Sequence, residues 1–248
     1  MNKPTIKTQE EINIMAEGGK ILGKIRETVA RQIKAGMTTE EVDALADKMI
    51  NDSGGKASFK MVPGYKHATC INLNDVVVHG IPGKQKIEMG DKVGVDLGLF
   101  YKGWHTDTAT TVVVGQSSNE FLDLGRAGLK KAIEQAKPGK RIMDISKAMQ
   151  ETIEKAGYSA VTALTGHGIG RELHEQPPIP CFVLGEYKHS MILVPGMVIA
   201  IEIMYNEGTS EVVYKNDDGW TIVTADGKIS GLFEHTVAVT VSGPVILT

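Results

Sequence analysis

The run VIAIEIM, residues 198 to 204, sets one carboxylate, Glu202, among apolar neighbours that cover both faces of a strand. A buried, unpaired carboxylate costs several kcal/mol or takes up a proton, so Glu202 requires a partner. Three more acids stand in comparable contexts: Asp96 in KVGVDLGLFY, Asp107 just ahead of TATTVVVG, and Glu234 just ahead of HTVAVTVSG. No run of Lys or Arg is placed to neutralise them, which makes a metal centre the economical partner. Four carboxylates carry four negative charges, and a pair of divalent cations cancels them where a single cation leaves an excess. In TGHGIGRELHEQP (165 to 177), His167 sits among Gly166, Gly168 and Gly170, which let backbone approach a crowded centre, and His174 follows seven residues on. The isolated histidines His67, His105 and His189 are expected to fill ordinary core or surface roles. Carboxylate-rich ligation with one imidazole suits manganese, iron(II), cobalt or zinc better than a thiolate-seeking metal.

These side chains need elements that bring them together. If Lys102-Gly103 form a two-residue hairpin loop, Tyr101 faces Trp104, Asp96 lies opposite Ala109, and Asp107 lies opposite Gly98. Asp96 and Asp107 then become diagonal neighbours on one face, about 7 to 8 Å apart at the backbone, within joint reach of one ion. Ahead of this hairpin, Ile12, Met15, Leu22, Ile25, Val29 and Ile33 keep helical spacing behind a Thr8/Glu11 capping box, and a Thr38/Glu41 box opens a second helix running to Gly54. The programme then restarts: a capping box from Ser117 to Glu120, a helix to about Ala136, the loop KPGK, a helix to Gly157, and strands again.

The two halves can be laid over one another. A shift of 103 carries Gly36, Val42, Ile50 and Gly54 onto Gly139, Ile145, Ile153 and Gly157, and a shift of 106 carries Gly90 and Asp96 onto Gly196 and Glu202. Each half supplies two of the acids. Between Glu202 and Glu234 the second half carries EVVYKNDDGWTIVTADGK, which reads as an inserted hairpin turning at Asp218-Gly219.

Composition narrows the function classes. The chain has 248 residues, enough for one large domain, with 27 basic and 30 acidic residues and a net charge of −3. That balance gives no electrostatic case for nucleic acid or an anionic membrane as partner. Two cysteines without a CxxC pair indicate neither a disulfide framework nor a thiolate zinc site. The N-terminal stretch lacks an apolar export core, and the greasiest run is broken by Pro195-Gly196, so a cytoplasmic protein is expected; with no sign of a dimer seam, monomer is the default. The motifs GxSxG, HExxH and a Walker A loop are absent.

Taken in order, HGIP (79 to 82), VDLG (95 to 98), Asp107, GHGIGRELHE (166 to 175), Glu202 and EHT (234 to 236) closely resemble the type I methionine aminopeptidases of the bacterial, single-domain kind. The resemblance covers nearly the whole chain. It implies an α/β (α+β) pita-bread fold, two pseudo-symmetric halves with an antiparallel curved sheet covered by helices. It implies a single catalytic domain over 1–248, with the repeat spanning approximately 10–115 and 117–245. It further implies that Asp96, Asp107, His167, Glu202 and Glu234 bind two divalent metal ions, with Asp107 and Glu234 bridging. On the same basis His79 and His174 contact substrate, Tyr65, Cys70 and Trp220 line the methionine pocket, and Glu202 takes part in proton transfer. The implied substrate is the N-terminus of a nascent chain, with transient ribosome association as a corollary.

This chain departs from that family at three places: Ile203 stands where proline is common, Gly231-Leu232-Phe233 where a glutamine is usual, and Thr106 where glycine is more usual. Prolidases and aminopeptidases P share the fold but carry an extra N-terminal domain, for which the roughly ten residues before the first helix leave no room. Type II methionine aminopeptidases carry an insertion that does not fit between His174 and Glu202. Noncatalytic pita-bread modules typically lose ligands, whereas all five are present here.

Overall fold

The computed structural model describes residues 4–117, 119–215 and 217–248. The first three residues of the N-terminal stretch, Ser118 beside the expected second-half cap and Asn216 in the expected hairpin lie outside it.

Helix α1 (Gln9–Gln32) and helix α2 (Thr39–Asp52) both start on the expected capping boxes, in which the threonine hydroxyl accepts an N–H from the glutamate that returns its carboxylate to the cap. Strands β1 (Lys56–Ala57), β2 (Thr69–Leu73), β3 (Val76–Val78), β4 (Lys92–Tyr101) and β5 (Trp104–Val113) follow. The second half opens with α3 (Glu120–Ile133) and α4 (Ile142–Glu154). It continues through β6 (Ser159–Ala160), β7 (Thr165–Gly168), β8 (Glu175–Pro180), β9 (Val198–Asn206), β10 (Val212–Tyr214), β11 (Ile222–Thr224), β12 (Ser230–Thr240) and β13 (Gly243–Ile246).

The start of α3 corrects the sequence reading. Its cap is Asn119, whose side chain accepts the Leu122 N–H, and not Ser117. Asparagine is an equally good cap, and it stands next to the first helical residue where Ser117 does not. The helix also ends at Ile133, short of Ala136, with the remaining residues forming turns.

All strand pairs of the main ten-stranded sheet are antiparallel, in the order β1-β4-β5-β12-β9-β7-β8, with β2 on β4, β6 on β9 and β13 on β12. The apolar stretch 69–82 splits at Asn74, which takes φ +48, so that β3 leaves for a small second sheet with β10 and β11. The β10–β11 pair is the inserted hairpin, its loop held by Asp218, whose carboxylate accepts the N–H groups of Trp220 and Thr221.

The offset pairs share local geometry. Gly36 and Gly139 have φ +94 and +85, and each donates its N–H across to a strand-like neighbour, Ile87 and Leu193 respectively. The bridges Thr38↔Lys86 and Arg141↔Ile192 are related by the same shifts of 103 and 106. Helix α1 packs on β4 and β5, and α3 on β9 and β12, giving each half its own apolar core. A third cluster, which includes Tyr65, Cys70 and Trp104, lies between them. Among the described residues no helix is long and apolar enough to cross a membrane.

Candidate metal centre

The β4–β5 ladder runs in the register expected from the Lys102-Gly103 loop: Tyr101↔Trp104, Gly98↔Asp107 and Asp96↔Ala109. At the junction of the halves, Ala109 on β5 also pairs with Glu234 on β12, and Glu234 pairs in turn with Glu202 on β9. Directly paired residues share a face, so Asp96, Ala109, Glu234 and Glu202 form one row across four strands, with a methyl group at the place where a larger side chain would fill the centre. Asp107 is two residues from Ala109 and joins the same face. Strand β7 adds His167, paired with Ala200 on the far side of β9. Ligand atoms of Asp107, His167 and Glu234 lie within 4.8 Å of one another, and Asp96 and Glu202 line the same cavity.

No Lys or Arg makes an ion pair with any of the four acids among the described residues. Burial is the largest influence on each. It pushes Asp96 up to about 7 and, with the Asp96 charge adding, Glu202 up to about 8. Asp107 and Glu234 are raised well above the carboxylate range, again by burial first and by the neighbouring acids second. Among the described residues the cation that counters this is Arg26, which acts on Glu234 from the other side of the sheet. Like charges directly opposite one another, as Glu202 and Glu234 are, destabilise a sheet. Asp96 Oδ1 is buried without a hydrogen-bond partner. An orphaned carboxylate oxygen inside a ring of acids, with an imidazole at its edge, is the donor set of hard or borderline divalent cations, and these residues fit such ions.

Glu202 itself is only half-buried, which corrects the expectation that both faces of its strand are sealed. Ile201 and Ile203 are fully covered, but the Glu202 side chain faces a cavity of about 750 Å³. Its carboxyl is therefore beneath the protein envelope and still in contact with solvent in the cavity. His167 Nδ1 lies 2.9 Å from the Gly168 carbonyl oxygen, which can only accept. Nδ1 therefore carries the proton, leaving the Nε2 lone pair available for a metal, and burial holds the ring neutral with its pKa down at about 3.

His174 is exposed at the cavity mouth, its ring centroid 4.4 Å from that of His167. His79 holds a left-handed φ of +58, and both its burial and the nearby His174 lower its pKa. Opposite them, the Tyr65 hydroxyl donates to the Thr69 carbonyl (2.8 Å) and lies 3.2 Å from the Cys70 sulfur, with the Trp220 ring 5.0 Å from the Tyr65 ring. All ten residues singled out in the sequence line this one cavity. The isolated histidines stay apart from it: His105 is buried against the Ser58 hydroxyl, His67 is half-buried beside Asp43, and His189 is exposed.

The description of metallopeptidase family M24 matches residues 13–241. The chain belongs to that family. Within M24 it is similar, over 98% of both chains, to the methionine aminopeptidase of Clostridium perfringens (41% identical) and to methionine aminopeptidase 1 of Bacillus subtilis (40%). The crystal structure of a methionine aminopeptidase from Thermotoga maritima superposes with a TM-score of 0.94 at 41% identity, covering 99% of each chain. The prolidase of Pyrococcus furiosus, also built on the pita-bread fold, gives 0.78 at 29% identity, and this chain spans 65% of its length. These likenesses make the chain a type I methionine aminopeptidase in kind, an M24 enzyme dependent on divalent metal.

The departures from the family pattern are accommodated behind the centre of this M24 fold. Ile203 lies on the strand face opposite Glu202 and packs against α3, where a Cβ on Gly128 would come 2.6 Å from its Cδ1. Leu232 is buried in the second-half core, and its N–H and carbonyl both bond the Thr111 hydroxyl. Several cavity residues gave no sequence signal, among them Phe59, Val62, Leu164 and Met204. They come from separate elements and carry no reactive group. Glu175 is a further miss: it forms a buried ion pair with Lys7 (2.7 Å) and accepts the N–H groups of Arg171 and Glu172, which pins the loop that bears His174. Its adjacency to His174 in LHE was the available clue.

Proposed function

We propose that this chain removes the initiator methionine from nascent polypeptides with two divalent metal ions held by Asp96, Asp107, His167, Glu202 and Glu234. The observation that carries this reading is the single row of acids drawn from both halves, with no cation of the described residues within ion-pair reach. When bound, the ions supply Lewis acidity toward the scissile carbonyl and lower the pKa of water. Asp107 and Glu234, one from each half and both in the ligand group whose atoms lie within 4.8 Å of one another, would be the carboxylates shared between the ions. The Thr236 side chain, two residues beyond Glu234, clasps the Asp107 main chain: its hydroxyl accepts the Asp107 N–H and donates to the Asp107 carbonyl.

His79 and His174 line the same cavity, and desolvation lowers the pKa of each, which favours the neutral ring, so each can hydrogen-bond the scissile amide or the developing negative charge without competing for the acids. Glu202, in contact with both the acid row and the cavity, is the group placed to take a proton from water and pass it to the leaving amine. Tyr65, Cys70 and Trp220, with Phe59, make a mostly apolar wall suited to an unbranched thioether side chain. The ions are drawn from manganese, iron(II), cobalt and zinc, the substrate is delivered as a nascent N-terminus by transient ribosome association, and the enzyme acts as a cytoplasmic monomer.

The test strips the protein with chelator, restores Mn(II), Fe(II) or Co(II), and compares Met-Ala-Ser, Leu-Ala-Ser and Ala-Pro-Ala. Metal-dependent release of methionine is expected. Preference for the Pro peptide moves the assignment to the prolidase side, and no release with any ion favours a binding module.

A further inference from the structure

A second cavity, of about 480 Å³, opens behind the sheet between α1, α3 and the backs of β5 and β12. It lies one sheet thickness from the carboxylate row: Thr110, Phe233 and His235 line it, while the alternate residues Asp107 and Glu234 face the front.

Its anchor is Arg26, whose side chain is 12% exposed. A guanidinium has five N–H donors and accepts nothing. Nη1 donates to the Thr108 hydroxyl (2.6 Å) and to His235 Nδ1 (3.2 Å), and the nearest carboxylate, Glu27, is 3.9 Å from Nη2 and largely exposed. Nε and Nη2 have no hydrogen-bond acceptor among the described residues. Arg126 and Lys130 line the same cavity. Arg126 pairs with the exposed Asp123 and lies 5.1 Å over the Phe233 ring, and Lys130 has no ion pair among the described residues. Against these three cations the lining holds one carboxylate, Glu134. The floor is apolar, with Leu129, Ile133 and Phe233.

A largely covered cation with unspent donors calls for an anionic partner. We propose that this rear groove binds an oxyanion, phosphate or carboxylate, carried on an apolar body. Arg26, Arg126 and Lys130 take the head group, and Leu129, Ile133 and Phe233 take the body. The site is independent of the peptidase reading, and its test needs no turnover.

Calorimetric titration of metal-free protein, at constant ionic strength, with inorganic phosphate, phenyl phosphate and benzoate reads the site directly. Without metal the charged lining of the front cavity is acidic, with no Lys or Arg among the described residues, and it repels anions. Phenyl phosphate or benzoate is expected to bind about tenfold more tightly than inorganic phosphate, and Arg126→Gln/Lys130→Gln to weaken that binding by about tenfold or more. The tighter of the two aryl ligands identifies the head group. Both positions are exposed on the helix, and Arg126 gives up only its Thr111 carbonyl, Asp123 and Phe233 contacts, so the melting temperature falls by no more than a few degrees and any methionyl-peptide turnover stays at the wild-type level. Equal binding by the wild type and the double variant, or no gain from the aryl group, overturns the proposal.

Discussion

Glu202→Gln should make the metal-free protein more stable and the metal-loaded protein less so. The folded structure raises the Glu202 carboxyl from 4.5 to about 8, chiefly by burial. A carboxyl raised on folding keeps its full stability below pH 4.5, where both states are protonated, and loses it as pH climbs toward 8, because the unfolded chain ionises first. At pH 7 the loss comes to about 3 kcal/mol, reduced to about 2 to 3 kcal/mol by the solvent contact the side chain keeps in the cavity. At pH 5 it is below about 1 kcal/mol. Gln has nearly the same volume and no charge to desolvate. Urea unfolding in chelator should therefore favour Glu202→Gln at pH 7, with the gap closing at pH 5. With Mn(II) added at about 1,000 times its Kd, the wild type gains about 4 kcal/mol and the variant much less, so the order reverses. A variant no more stable than wild type in chelator at pH 7, or a gap that ignores pH, refutes the claim that burial of this charge is uncompensated without metal.

Asp107→Asn removes a charge from the tightest ligand group, and turnover of Met-Ala-Ser should fall by about two to three orders of magnitude, with a lower bound-metal count by calorimetry; near-normal turnover rules out a bridging role. Lys92 is buried with the Val76 carbonyl as its only acceptor among the described residues, and burial brings its amine down from 10.5 to about 7. Its protonation thus penalises the fold below pH 7, and this penalty lifts as pH rises from 7 to 10.5. Lys92→Met should be more stable than wild type at pH 7 by up to about 5 kcal/mol, with the difference shrinking toward pH 10, and a pH-independent difference in denaturant midpoints contradicts this. Asn119→Ala should cost about 1 kcal/mol through loss of the α3 cap, whereas Ser117→Ala should change the melting temperature little.

The legible part of this molecule was the part governed by short-range rules. A two-residue loop determines strand register, so Asp96 and Asp107 could be placed on one face by counting. Two threonine caps and the spaced glycines located helices and the repeated turns for the same reason. What lay beyond counting was the pairing of β12 with both β5 and β9, which completes the row across the chain's two halves. Glu202 was read as sealed because a one-dimensional run shows neighbours along the strand and not the void above it. Arg26 escaped notice on a helix whose other charges are solvated, and only the sheet behind it reveals its role at Thr108 and His235. The third cap was misplaced because Ser and Asn two residues apart offer equivalent chemistry, and the choice depends on where the helix meets the sheet.

The β5–β12 ladder, only two residue pairs long, is bridged otherwise by threonine hydroxyls. Beyond it the halves share the small β10-β11-β3 sheet and the apolar cluster around Tyr65 and Trp104, while each keeps a larger core of its own. On the proposed ligation, cations loaded at the row would act as a rivet through the waist of the molecule, and chelation should let the lobes breathe there first, so that waist amides of the β5–β12 ladder exchange with deuterium before either core does.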